Sequence, residues 1–168
     1  MQLREIDKDR YRRNLWIVFA AITAALMILS IVFSTLLIQL FSSPEVSHFI
    51  HNLSGVAAAA ITVAFALHRF RYHPFMVEVV YVWDLKQQLN RISRKLVKIE
   101  AAVENNNRDA MMIMNFMYRG SRQLYKLDDN TITMEGLLAK IRVLDERMEA
   151  AGLSLSTDSY EPVMLNQF

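Results

Sequence analysis

Cysteine is missing from all 168 residues. Its absence excludes disulfides, thiol nucleophiles and cysteine-ligated metals, and nothing in the chain calls for an oxidising compartment. No serine sits in a nucleophile elbow, and there is no glycine-rich phosphate loop. A formal charge of +2 is too small to indicate nucleic acid as a partner. Charge is itself scarce between Asn14 and Leu67, where Glu45 is the one acidic or basic residue apart from two histidines. From Arg69 onward, charges of both signs are dense. That distribution describes a membrane anchor followed by a soluble part, in a chain with room for about one domain.

Two apolar runs follow from it. Residues 15–41 are uncharged and exceed the roughly 20 residues needed to cross a hydrocarbon core. The run opens near Trp16, an interfacial residue type, and Ser42, Ser43 and Pro44 stop it. The second run, about residues 49–68, is near the minimum length. A secretory signal is the competing reading of the first run. Its apolar part is about twice the usual 7 to 15 residues, and no small-residue cleavage site closes it. Orientation comes from the basic residues. Arg4, Lys8, Arg10, Arg12 and Arg13 precede the first run, Arg69 and Arg71 follow the second, and the segment between has no lysine or arginine. The positive-inside rule then puts both termini in the cytoplasm, with a short external turn at Pro44.

The run Ala57 to Ala60 is four alanines in succession. Helices in lipid associate by close packing, which small side chains permit. Gly55, Ala59 and Ala64 on the second run mirror Ser34, Ser30 and Ala25 on the first. One antiparallel register pairs Ser34 with Gly55, Ser30 with Ala59 and Ala25 with Ala64. The alternative is that alanine simply fills a membrane helix.

The expected architecture is all-α. A basic N-terminus (1–14) leads into a transmembrane hairpin (15–70), then a cytoplasmic antiparallel three-helix module (71–152) and a mobile tail (153–168). Pro74 restricts His73 to extended backbone and suits the first position of a new helix. The steps Val82, Leu85, Leu89, Ile92, Leu96, Ile99 and Val103 alternate three and four, the seam of an amphipathic or coiled-coil helix over about 75–104. After the turn Asn105 to Asn107, further helices are predicted over 108–127 and 134–151, the last with Thr133 as N-cap and Gly152 as its end. The tail shows no period.

The segments "HPFM", "YVWDLKQ", "NRISRKL" and "LYKLDDNT" resemble a small proteobacterial family of two-span inner-membrane proteins, a domain of unknown function (3087). The resemblance runs from about residue 5 to residue 152. It implies a bacterial inner membrane and supplies neither an activity nor site residues.

Sites of chemistry are sparse. His48 and His51 could chelate a metal, yet only Glu45 is nearby, and haem bridging both runs would need a histidine on the first. Asp128-Asp129 and Asp145-Glu146 read as solvated charge. No cofactor or metal is expected, and no enzyme. Interaction is the better prospect. Arg91, Arg94, Lys95 and Lys98 cluster on the polar side of the third helix. They would hold anionic lipid if that helix lay along the bilayer, or else pair with Glu146 and Glu149 or simply stay solvated. The stretch containing Met111, Met112, Met114, Phe116 and Tyr118 is apolar almost all round, with Asn115 its one strongly polar member. It is either core covered on several sides or an adaptable docking surface for a protein partner or a second copy. The function expected is that of a non-catalytic adapter, scaffold or accessory subunit. A small pore ringed by Glu45 in an oligomer of hairpins and a signal relay through Pro74 are the alternatives.

Overall fold

A computed structural model describes residues 2–41 and 47–168. The turn at Pro44 and the ring at Glu45 lie outside the described residues. Among those described, regular structure is entirely helical. Six α-helices follow in order: α1 Lys8–Phe41, α2 Phe49–Phe70, α3 Val77–Ser93, α4 Leu96–Glu104, α5 Arg108–Leu127 and α6 Met134–Ala150. Short 3₁₀ turns occupy Pro74–Met76, Thr157–Ser159 and Pro162–Gln167. The chain divides into two compact units, Asp9–Val80 and the combination of Met1–Lys8 with Tyr81–Phe168.

In the first unit α1 and α2 are each long and apolar enough to cross a membrane. Their outward side chains, among them Phe19, Ile28, Ile31, Ile61 and Phe65, are exposed. Large apolar side chains left in water forgo about 25 cal/mol per Å². The helices meet antiparallel, with Ser34 of α1 against Gly55 of α2. The buried stripe of α2 is Gly55, Ala59 and Val63. This corrects the expected packing position at Ala64, which is exposed. At about 100° per residue, steps of four stay near one face, whereas the nine residues from Gly55 to Ala64 turn to the opposite side. The base of the unit is held by polar groups. Asn14, buried with Tyr11, donates from Nδ2 to the Phe75 carbonyl at 3.0 Å. Arg10 Nε lies 3.0 Å from Glu78 Oε1. His73 is extended (φ −70°, ψ 139°), as a residue before proline must be, and its side chain caps the turn that Pro74 begins.

The second unit is built around α5. Asn107 caps it, its Oδ1 accepting the Ala110 N–H at 2.9 Å. Asn106 takes the left-handed conformation (φ 57°) that asparagine tolerates better than most residues. The expected continuous third helix is instead α3 and α4. The Lys95 N–H bonds back three residues to Ile92 at 2.9 Å, and a new helix starts. No proline or glycine marks this step, so local sequence does not signal it. The apolar seam survives the step: Val82, Leu85, Leu89, Ile92 and Ile99 are all buried. Gly120 brings α5 close to α3, where a Cβ would sit 3.1 Å from Leu89 and 3.2 Å from Leu85. Gly152 closes α6 in the left-handed region (φ 64°), with Leu153 N–H bonded to Met148 at 2.8 Å.

The segment after α6 corrects the expectation of a mobile tail. Tyr160 and Leu165 are buried in the same core as Phe116, Met111 and Ile92. The residues before α1 are also fixed in this unit. Arg4 N–H donates to the Tyr81 hydroxyl at 2.8 Å, Gln123 donates to the Arg4 carbonyl, and Lys8 pairs with Asp129.

Candidate functional site

The methionine-rich stretch lies along α5, which α4, α6 and the C-terminal turns all contact. That many neighbours decide between core and docking surface residue by residue. Met111, Met114 and Phe116 are fully or almost fully buried inside one copy of the chain. This corrects their assignment to an interaction surface, since an apolar helix with neighbours on several sides is core. Met112 and Tyr118 are half-buried.

Asn115, the polar exception, has a structural task. Its Nδ2 donates to the Leu155 carbonyl at 3.0 Å, and its Oδ1 accepts from Arg119 Nε at 2.7 Å. Arg119 also reaches Asp145 of α6 at 2.8 Å. A polar relay therefore ties α6, α5 and the tail together, with the buried amide satisfied on both sides. The tail adds Tyr160, stacked on Phe116 with ring centroids 4.2 Å apart and accepting from Gln88 Nε2. Burial raises the Tyr160 hydroxyl above its ordinary pKa, outweighing the lowering effects of Gln88 and Arg91. The sequence held one signal for this docking. Leu153, Leu155 and Thr157 alternate with exposed Ser154, Ser156 and Asp158, a period of two.

The basic cluster is partly consumed by the same segment. Lys95 Nζ donates to the Leu165 carbonyl and Lys98 Nζ to the Phe168 main-chain oxygen, each at 2.7 Å. Arg91 lies close enough to Tyr160 to influence its hydroxyl, and Arg94 is exposed. None of the four pairs with Glu146 or Glu149. The expected ion pairs are not formed, because the docked tail supplies carbonyl acceptors to the two lysines.

Several concave sites lie on this unit, and one of them combines an apolar floor with charged rims. Between α4 and α6 a groove of about 390 Å³ is floored by Met114, Tyr118 and Leu144. Its rims differ in sign. Glu100 and Glu104 stand on the α4 side, Lys140 and Arg147 on the α6 side, with Val143 beside them. Val143 is 56% exposed, a large apolar side chain at the lip of an apolar floor. The Tyr118 hydroxyl titrates above its ordinary range, through burial first and the nearby Glu100 carboxylate second. Two members of the predicted methionine-rich surface, Met114 and Tyr118, therefore do line a surface feature, although one is almost wholly covered.

In the other unit, the contact of Gly55 with Ser34 leaves no space for a side chain. A Cβ on Gly55 would fall 2.6 Å from the Ser34 nitrogen and 2.8 Å from its Cα. The Ser34 hydroxyl donates to the Asn52 carbonyl at 3.3 Å. Ser30 and Ala25 are half-buried, and Ala25 lines a groove between the helices. His48 and His51 touch edge to face, ring centroids 6.4 Å apart. Among the described residues no three acidic or histidine side chains gather closely enough to hold a metal ion. Asn14 and Tyr11 escaped the sequence reading as contact residues, because each lies at the margin of an apolar run and not within a motif.

Residues 1–165 match the family described as protein of unknown function (DUF3087), and the chain belongs to that family. The match takes in the docked tail and the N-terminal residues that bind Tyr81 and Gln123. No curated protein and no solved structure matches the chain.

Proposed function

We propose that this member of the family is a non-catalytic protein of the bacterial inner membrane. Its α1–α2 hairpin spans the bilayer with both flanks in the cytoplasm, and its helical module binds an amphipathic helix of a partner protein in the groove between α4 and α6. The membrane part of this reading is supported by the length and outward apolar faces of α1 and α2 and by basic residues on both flanks with none between.

The groove carries the binding part. An apolar floor bounded by carboxylates on one side and cations on the other suits a helix whose apolar stripe has basic residues toward Glu100 and Glu104 and acidic residues toward Lys140 and Arg147. Opposite rims fix the direction in which such a helix lies. The lipid role considered for Arg91, Arg94, Lys95 and Lys98 loses support, since two of these already hold the tail.

A photoactivatable residue placed at Val143 of the full chain in intact cells tests the reading. The expected result is a discrete heavier adduct that is absent when the probe is at Glu149, and that fades when Glu100 and Glu104 are both changed to lysine. An adduct of twice the chain's mass would identify the occupant as a second copy. No adduct, or the same adducts from both positions, would overturn groove binding.

A further inference from the structure

The α1–α2 unit contains a second groove, of about 370 Å³, at the end away from the Ser34–Gly55 contact. Val18, Ala25 and Leu29 of α1 face Val63 and Ala66 of α2 across it, and Phe75 and Met76 close one end. The volume is at the low end of the roughly 300–1,000 Å³ of ligand pockets. Its lining is apolar except for two residues. Thr62 spends its hydroxyl on the Ala58 carbonyl at 2.8 Å, so it asks nothing of a ligand. His73 stands at the mouth.

The mouth has a different chemistry. Phe70 and His73 are shared with an adjoining hollow of about 450 Å³ that Arg69, Tyr72 and Pro74 complete. His73 Nδ1 accepts the Phe75 N–H at 3.2 Å. With Nδ1 so engaged, Nε2 is the ring's outward donor, and it has no partner among the described residues. Among the described residues the Arg69 guanidinium likewise has no ion pair or hydrogen bond. No aspartate or glutamate occurs from residue 46 to residue 77 to neutralise it. An apolar slot thus opens beside two unused donors, one of them permanently cationic.

We propose that this pair of hollows binds one anionic phospholipid, an acyl chain lying between α1 and α2 and the phosphate held by Arg69 and His73. The inference rests on the reading that α1 and α2 cross a bilayer. The apolar slot favours a lipid over free phosphate. The cationic mouth favours an anionic headgroup, because a zwitterionic one brings its own cation to Arg69.

Native mass spectrometry of the full chain in mild detergent tests it, with phosphatidylglycerol, phosphatidylcholine and inorganic phosphate as separate probes. The wild-type chain should retain one phosphatidylglycerol about tenfold more tightly than phosphatidylcholine, the discrimination one charge-assisted contact supplies. Arg69→Gln should bring the two lipids level. Ala66→Phe, which fills the slot, should release both while the chain still melts cooperatively. Equal retention of the two lipids by the wild type, or undiminished phosphatidylglycerol in a folded Ala66→Phe chain, would overturn the site. Tight binding of inorganic phosphate in place of lipid would also overturn it. Alkaline carbonate extraction of cell membranes separates the two failures. A chain that stays in the membrane but shows no lipid preference removes only this site, whereas a chain extracted as soluble protein removes the bilayer reading as well.

Discussion

Tyr160 lies on Phe116, ring planes 24° apart and centroids at 4.2 Å, so a residue of the C-terminal segment completes the core that α5 begins. Removing the ring should be expensive. Tyr160→Ala should lower the stability of the helical module by about 3–5 kcal/mol, the usual cost of deleting a buried aromatic side chain. Tyr160→Phe keeps the stack and leaves the Gln88 amide without its acceptor, at about 1–3 kcal/mol. Thermal melts of the full chain in detergent, followed by limited proteolysis after Gly152, would rank them. Protease resistance of the tail unchanged in Tyr160→Ala would contradict the docking.

The same ring makes the tail sensitive to alkali. Burial holds the folded Tyr160 pKa above the unfolded value of about 10. A raised pKa contributes stability fully below the unfolded value and loses it as pH rises through the folded value. The tail should therefore stay docked up to about pH 10 and loosen above it. Hydrogen exchange of residues 153–168 across this range would detect the release. Tyr81 and Tyr118 are raised by burial too, so the loosening should vanish in Tyr160→Phe while their titrations remain.

Asn115 should behave as a buried polar tie. Asn115→Leu removes the partner of the Leu155 carbonyl and of Arg119 Nε at once. A loss of about 1–3 kcal/mol is expected, with Arg119 still free to hold Asp145. Stability equal to or above wild type would show that the relay is dispensable.

How much of this was legible in the sequence varied by element. The helical class and the two long apolar helices followed from composition and proline placement, because both act locally. The seam through Val82, Leu89, Ile92 and Ile99 followed from periodicity, yet the step at Lys95 did not, since no breaker residue marks it and its side chain serves the tail. The tail was misjudged for want of a helical period, although its alternation of leucine and serine carried an extended one. Met111, Met114 and Phe116 could not be divided from Met112 by pattern alone, because the number of helices around α5 is a tertiary fact. Ala64 was misplaced by one position, which on a helix is enough to change face.

Gly55 tests the packing of the two apolar helices. Gly55→Ala puts a methyl group against the backbone of Ser34, which cannot swing aside as a side chain tip can. Overpacking of this kind costs about 1–3 kcal/mol. Ala64→Leu, on the exposed face, should be nearly neutral. Unfolding in mixed micelles would compare them. Equal effects at positions 55 and 64 would remove the case for a small-residue interface.

The proposed place of α1 and α2 in a bilayer underlies both the partner-binding and the lipid readings, and the lack of cysteine makes it directly measurable. Single cysteines at Ser43, at Gln2 and at Asn166 of the full chain would be exposed to a membrane-impermeant thiol reagent in intact spheroplasts and again after lysis. The account predicts labelling of Ser43→Cys in intact spheroplasts and of Gln2→Cys and Asn166→Cys only after lysis. Labelling of Asn166→Cys before lysis, or of none of the three until lysis, would contradict it.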